Sequence, residues 1–400
     1  MKIVTIAWRY LWSRPLAAAL NLLLLSLGLA AITFVLLTSQ QLDRNFERDL
    51  AGIDLVVGAK GSPIQLILAG VFHIDVPSGN IPLAEVQKLQ SHPQVAKLIP
   101  LSLGDTFKGF RLVGTTPAYA QHYGATLAQG AMWTGAMQAV IGQEVAQQTG
   151  LLVGNKFAGS HGLGGTGHAH GDNPYQVNGI LARCGCVLDR LILTATESVW
   201  KVHEDATVAD PSDRAVLEAE REVTMALITY KSPMAAVSLP RFINTTTDMQ
   251  AAAPAIEITR LLRMVGVGTD VLRGFAAVLL LTAGLSVFIA LWNAVRERRA
   301  DLAMLRMLGA SPQKVAGLVL CEALLLALLA VALGLIMGHL LTGMVGYWLQ
   351  AERSLVLTGW TWLSQEWWVL AMGVAVATVA ALLPALNAYR MEVTTLLNSR

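Results

Sequence analysis

Apolar residues run from Leu16 to Thr38 without an ionisable side chain, a stretch of 23 positions. At about 1.5 Å rise per residue such a helix covers the roughly 30 Å of a bilayer's hydrocarbon, so the run predicts a first membrane span. It leads into Thr38-Ser39-Gln40-Gln41 and lacks the small-residue cleavage site of a secretory signal, which makes it an uncleaved anchor. Three more runs follow, Phe275 to Val295, Val315 to Leu341 and Trp367 to Leu386, all in the C-terminal third. The spans are therefore spaced 1+3. Between Leu37 and Phe275 lie about 230 residues broken by Gly, Pro and polar clusters, none of them in a run long enough to cross.

That intervening region alternates short strands with helical patterns: Asp54 to Gly58, a helix from about Pro82 to Gln90, and Phe107 to Val113 interrupted by Gly109. Ala139 to Phe157 reads as strand, helix, glycine cap and hairpin, and Tyr175 to Leu181 as a further strand. Asp205 to Glu222 is a charged helical segment, followed by a strand from Met225 to Tyr230. The fold class is an α-helical membrane protein with four transmembrane helices (1+3) and a large extracytoplasmic α+β domain of two lobes.

Charge sets the orientation. Lys2, Arg9 and Arg14 precede the first span, and Arg296, Arg298, Arg299, Arg306 and Lys314 crowd the short loop between the second and third. Both segments are expected on the cytoplasmic side, since basic residues are retained there. The loop from Gln350 to Glu366 carries only Arg353 as a basic residue, while Arg390 and Arg400 follow the last span. Both termini are then cytoplasmic and the large domain is outside. Trp348, Trp360, Trp362, Trp367 and Trp368 bracket the outer loop as an interfacial belt. The expected layout is a cytoplasmic helix in 1–15, spans at 16–38, 275–295, 315–341 and 367–386, an external domain in 39–272, a cytoplasmic helix in 296–312, an outer loop in 342–366 and a tail in 387–400.

Composition agrees: 54% of the 400 residues are hydrophobic and only 14% charged, against about 25% charged in soluble domains. Lys+Arg 29 against Asp+Glu 27 leaves a net charge of +2, too balanced for the basic surface that phosphate neutralisation needs, so no nucleic acid is expected as a partner.

The most informative segment is Arg296 to Pro312. Leu302, Leu305 and Leu308 fall at helical spacing among charged residues, Gly309 suits a left-handed cap, Ser311 a helix cap and Pro312 a first helical position. A loop that only fixed topology would need the arginines but not the leucines or the rigid turn. Arg299 to Ser311, then Leu320 to Leu326, resembles the coupling-helix signature of the MacB/FtsX/LolC–LolE permeases of ABC transporters. Ala7-Trp-Arg-Tyr-Leu-Trp-Ser-Arg-Pro15 is similar to that family's leading helix, and Leu383 to Leu396 to its C-terminal signature. The Ala139 to Phe157 unit and the strand after it resemble a recurrent piece of the family's external domains. Asp301 stands where the family more often has Glu, and Val393 where it commonly has Pro.

The resemblance implies that Arg299, Asp301, Leu302, Leu305, Arg306, Leu308 and Gly309 dock on a cytoplasmic ABC ATPase subunit and pass its movement outward. It also implies an inner-membrane, multi-pass permease that is not itself the ATPase. No GxxxxGK[ST] loop occurs in the sequence, so the ATPase is expected on another polypeptide. A second permease copy would give eight spans. Gly334, Gly338, Thr342 and Gly346, at four-residue spacing, form a small-residue ridge suited to that dimer or equally to packing within one chain. Glu322 and His339 are ionisable residues in or near the third span and read as structural, Glu322 being within reach of a neighbouring arginine.

Outside the membrane, the segment Gly159 to Pro174 gathers His161, His168, His170 and Asp172 in a glycine-rich stretch. Neutral imidazoles suit zinc or another transition metal, although the spacing matches no fixed site. Cys184 and Cys186 form either a two-residue-spaced disulfide, a lipid-modified site or a redox pair. No nucleophile and base stand in a recognisable catalytic motif, so no catalytic residue is assigned. The leading function is the permease subunit of an ABC complex that exports or extracts a lipid-linked, peptide or small-molecule cargo. Membrane lipids and an external cargo or partner protein are its further partners. The alternative is a membrane-anchored metal-binding receptor or scaffold acting through the histidine-rich loop.

Overall fold

A computed structural model describes residues 3–161, 173–204, 218, 220–352 and 357–391. The chain divides into two compact units, one made of residues 1–42 with 265–400 and the other of 43–264.

Among the described residues, four helices are long and apolar enough to cross a membrane: Pro15–Leu50, Pro254–Glu297, Pro312–Leu349 and Glu366–Tyr389. Pro15, Pro254 and Pro312 each open their helix, where a missing N–H costs nothing. Two helices overrun their apolar runs. Gln40 to Leu50 holds polar helix formers but no Gly or Pro, so the helix continues until Gly52, whose φ of +78° suits a left-handed stop. The core of the first unit is built from small and branched residues, among them Leu25, Leu29, Ala283, Ala327, Ala330, Ala377 and Ala381.

The small-residue ridge is used inside the chain. A Cβ on Gly334 would press on Leu29 and on the Ser26 carbonyl, and one on Gly338 would press on Thr33 and the Ala30 carbonyl. Thr342 is fully buried and donates its hydroxyl to the Gly338 carbonyl at 2.9 Å. Gly346 does not face a helix at all; a Cβ there would collide with the Leu357 carbonyl. The first span thus seats against the third by close backbone approach, as membrane helices do when small residues line the contact.

The second unit is α+β. Nine strands lie in the order Met249–Ala252, Leu55–Ala59, Met225–Tyr230, Val95–Phe107, Phe110–Thr115, Leu191–Ala195, Gln138–Ile141, Tyr175–Leu181 and Leu127–Gly130, with two short strands added at its side. Val95–Phe107 belongs to both halves: residues 95–101 pair with Met225–Tyr230, and residues 102–107 with Phe110–Thr115. The first half is wholly antiparallel, whereas the second contains two parallel pairs. The break foreseen at Gly109 is a hairpin turn, with Lys108 and Gly109 both at positive φ (48° and 84°), the geometry whose twist matches paired strands.

One expectation changes. Glu222 and Val223 form a short strand against Pro82 and Ile81 rather than the end of a helix, and the Glu222 carbonyl accepts the Trp200 indole N–H at 2.7 Å. The helix expected from about Pro82 runs from Leu83 to Gln90, with Pro82 held in that pairing. Residues 205–217 of the charged segment lie outside the described residues.

Candidate functional site

The short segment between the second and third spans folds as the helix Arg299–Met307, separated from the preceding helix by a break at Arg298. Its sequence explains both faces. Leu302 and Ala303 are buried in the membrane-unit core, Leu302 at 3% exposure, and Leu305 packs half-buried beside them. Arg299, Asp301, Met304, Met307 and Leu308 point outward, Leu308 at 79%. Leu302 therefore anchors the helix and offers no docking surface, and Leu305 offers only an edge. The outward apolar face consists of Met304, Met307 and Leu308, of which the periodicity singled out only Leu308.

Both ends of this helix are held. At the start, the Arg298 guanidinium lies 3.4 Å from Glu322, donates to the Tyr10 carbonyl at 2.9 Å and to the Ser13 hydroxyl at 2.6 Å, and stacks 4.3 Å from the centre of the Tyr10 ring. Arg14 pairs with Glu297. At the far end Arg306 donates to the Met391 carbonyl, beyond the fourth span. Gly309, at φ +93°, donates to the Arg306 carbonyl and turns the chain; Ser311 then accepts the Lys314 N–H with Pro312 between them. One nine-residue helix is thus tied to the N-terminal helix, the third span and the end of the fourth. Composition did not distinguish Arg298 from its basic neighbours; its signal was phase, since 298, 302 and 305 share one helical face.

In the second unit, the residues around Cys184 and Cys186 form a half-buried polar cluster. The two cysteines are joined as a disulfide. Asp189 accepts the N–H groups of Cys184 at 3.0 Å and Gly185 at 2.7 Å, Arg48 donates to the Gly185 carbonyl, and Asp49 accepts the Val187 N–H at 3.1 Å. Burial pushes the Asp49 carboxyl up to about 6, opposed by the Val187 N–H and by Arg48. Nearby, the buried His73 imidazole meets the Tyr119 hydroxyl at 2.9 Å; burial and the Arg111 charge hold it well below its ordinary range, so it stays neutral.

His168, His170 and Asp172 lie outside the described residues, and of His161 only the backbone is described, paired with Asp105. Among the described residues no group of three or more His, Cys, Asp or Glu is placed to hold a metal ion.

Comparison with known proteins matches this plan at both ends. Residues 18–228 match the MacB-like periplasmic core domain, more than half of the chain, and residues 273–393 match the FtsX-like permease C-terminal family. The chain belongs to the MacB/FtsX-like ABC permease family. It is an inner-membrane, multi-pass protein of that family, with the external domain between the first and second spans. It is 24% identical over 376 residues to the pyoverdine export ATP-binding/permease protein PvdT of Pseudomonas putida, covering 84% of this chain and 52% of that protein. The PvdT of Pseudomonas fluorescens is 23% identical over 366 residues, covering 86% and 52%. The chain spans about half the length of these curated relatives. Among solved structures it is similar to the periplasmic region of MacB from Actinobacillus actinomycetemcomitans (TM-score 0.35, 12% identity, 54% of this chain and 95% of that one). It is also similar to the extracellular domain of the Gram-positive transporter YknZ (TM-score 0.30, 12% identity, 50% and 98%).

Proposed function

We propose that this permease couples ATP hydrolysis, carried out by a nucleotide-binding protein or domain outside these 400 residues, to movement of its external domain during export of a cargo. The observation that carries this reading is the tethered helix Arg299–Met307. Its inner face is locked by Leu302 and Arg298, and its outer face presents Met304, Met307 and Leu308. An apolar face held at both ends suits a rigid contact that transmits displacement, whereas a topological loop needs neither the buried leucine nor the ties. The family places an ATPase partner on the cytoplasmic side, and the basic residues at 296–314 support that side for this helix, with both termini cytoplasmic. The export named for the relatives supports outward work on a lipid-linked, peptide or small-molecule cargo. The helices Pro15–Leu50 and Pro254–Glu297 each supply residues to both compact units, a covalent route by which a push in one reaches the other.

The test is purification of the full chain with its ATPase in mild detergent, wild type against Met304→Asp with Leu308→Asp. Both positions are exposed, so the variant is expected to fold, melt at the wild-type temperature and lose the ATPase. Retention of the ATPase at wild-type ratio by a folded variant would sink the reading.

A further inference from the structure

At the far end of the third span, His339 meets two acceptors at once. Its Nδ1 lies 2.7 Å from the Gly359 carbonyl, and its Nε2 lies 3.0 Å from Oε2 of Glu366, at the start of the fourth span. A carbonyl has no proton to give, so Nδ1 carries one. A neutral imidazole of that tautomer would then aim a lone pair at an ionised carboxylate. The other Glu366 oxygen is already occupied, accepting the Leu363 N–H at 2.8 Å, and the Glu366 side chain is wholly buried. The 3.0 Å contact is attractive only with one additional proton in the gap, on Nε2 or on Oε2; the count is the same either way.

The same pair pins a loop. Trp362 stacks on the His339 ring at 5.7 Å and 9°, while Gln41 of the first span exchanges two hydrogen bonds of 2.9 Å with the backbone of Thr358. Gly346 and Gly343 let Leu357 and Gly359 lie directly on the third helix. The elements that close over the pair bring Gln41, Thr358, Gly359 and Trp362. Among the described residues no third charged or titratable side chain bonds to either member. Among the described residues nothing else there can neutralise Glu366 once the shared proton leaves for water, and an uncompensated buried carboxylate is costly.

We infer that His339 and Glu366 form a proton-operated latch. With one shared proton the loop 357–365 is held on the third span; loss of that proton releases it, together with the exposed indoles of Trp360 and Trp362. This goes beyond the coupling reading and does not depend on it.

The test uses the full chain labelled with 5-fluorotryptophan in lipid nanodiscs and fluorine NMR. Among the ten tryptophans, the Trp362 resonance is the one lost in Trp362→Phe. The expected result is a single step in its chemical shift as the pH is raised, with line narrowing on the alkaline side as the indole leaves the imidazole. Glu366→Gln should abolish the step and hold the resonance at its acid position, because the new amide donates to Nε2 while its carbonyl still accepts from Leu363. A flat wild-type titration overturns the latch whatever the variants do, and so does a step that survives in Glu366→Gln.

Discussion

Arg298 and Glu322 sit 3.4 Å apart with 13% and 11% of their side chains exposed, one at the break before the short helix and the other two turns inside the third span. Removing one partner of such a pair strands the other charge. Arg298→Ala is expected to destabilise the full chain by about 3 kcal/mol, the cost of an uncompensated buried carboxylate plus the lost bonds to Tyr10 and Ser13. Arg298→Ala with Glu322→Leu should recover much of that loss. Thermal melting in detergent measures both, and an unchanged midpoint in the single variant would count against the tether.

Gly309 turns the chain at φ +93° with open space where a Cβ would go. Alanine there meets no neighbour and is penalised only by its backbone conformation, so Gly309→Ala should cost about 1 kcal/mol. Loss of ATPase stimulation beyond what that change in stability explains would show that the turn angle itself matters.

On the third span, Gly338 and Gly317 make a matched pair. Gly338 faces Thr33 and the Ala30 carbonyl, whereas Gly317 has nothing within 4 Å. Gly338→Leu should lower the melting midpoint by the equivalent of about 1–3 kcal/mol through overpacking, and Gly317→Leu should leave it unchanged or raise it slightly. Equal effects would mean that the ridge does not seat the first span.

Asp49 gives a pH prediction with a definite sign. Its folded value of about 6 lies above the ordinary 3.8, so the folded protein holds that proton more tightly than the unfolded chain. The resulting stability is fully present below about pH 3.8 and is lost as pH rises through about 6. Asp49→Asn keeps an acceptor for Val187 and removes the titration. It should be the more stable protein above pH 6, by up to about 3 kcal/mol, with the two curves converging near pH 4. His73 pulls the other way on acidification, since a neutral buried imidazole favours unfolding below its ordinary value, but it is common to both proteins and cancels in the difference. Parallel curves across that range would contradict the assignment.

The membrane plan was legible because each run is long and almost free of ionisable residues, and the cap at Gly309, Ser311 and Pro312 because each residue has one strong conformational preference. The direction of the short helix's leucines was not. Spacing placed Leu302, Leu305 and Leu308 near one another but left open whether that face met the bundle or a partner, and burial in the cluster that holds Val315, Leu318 and Val319 of the third span decided it for Leu302. The pairing of His339 with Glu366 crosses 27 positions and depends on a loop lying down on glycines, which no local pattern records. The strand interrupted at Gly109 was visible as a break, but its partner strand, reaching back to Val95, was fixed only by long-range pairing.

The strand Val95–Phe107 carries a further consequence. Its 13 residues bond to Met225–Tyr230 along one stretch and to Phe110–Thr115 along the next. Neither half of the sheet can open without exposing the ladder of the other, so among the described residues the sheet has no seam along which to melt in stages. Its amides at Leu101 to Leu103, where the two ladders meet, belong to the last part of the external unit to exchange with solvent, and the sheet is expected to unfold as one cooperative body.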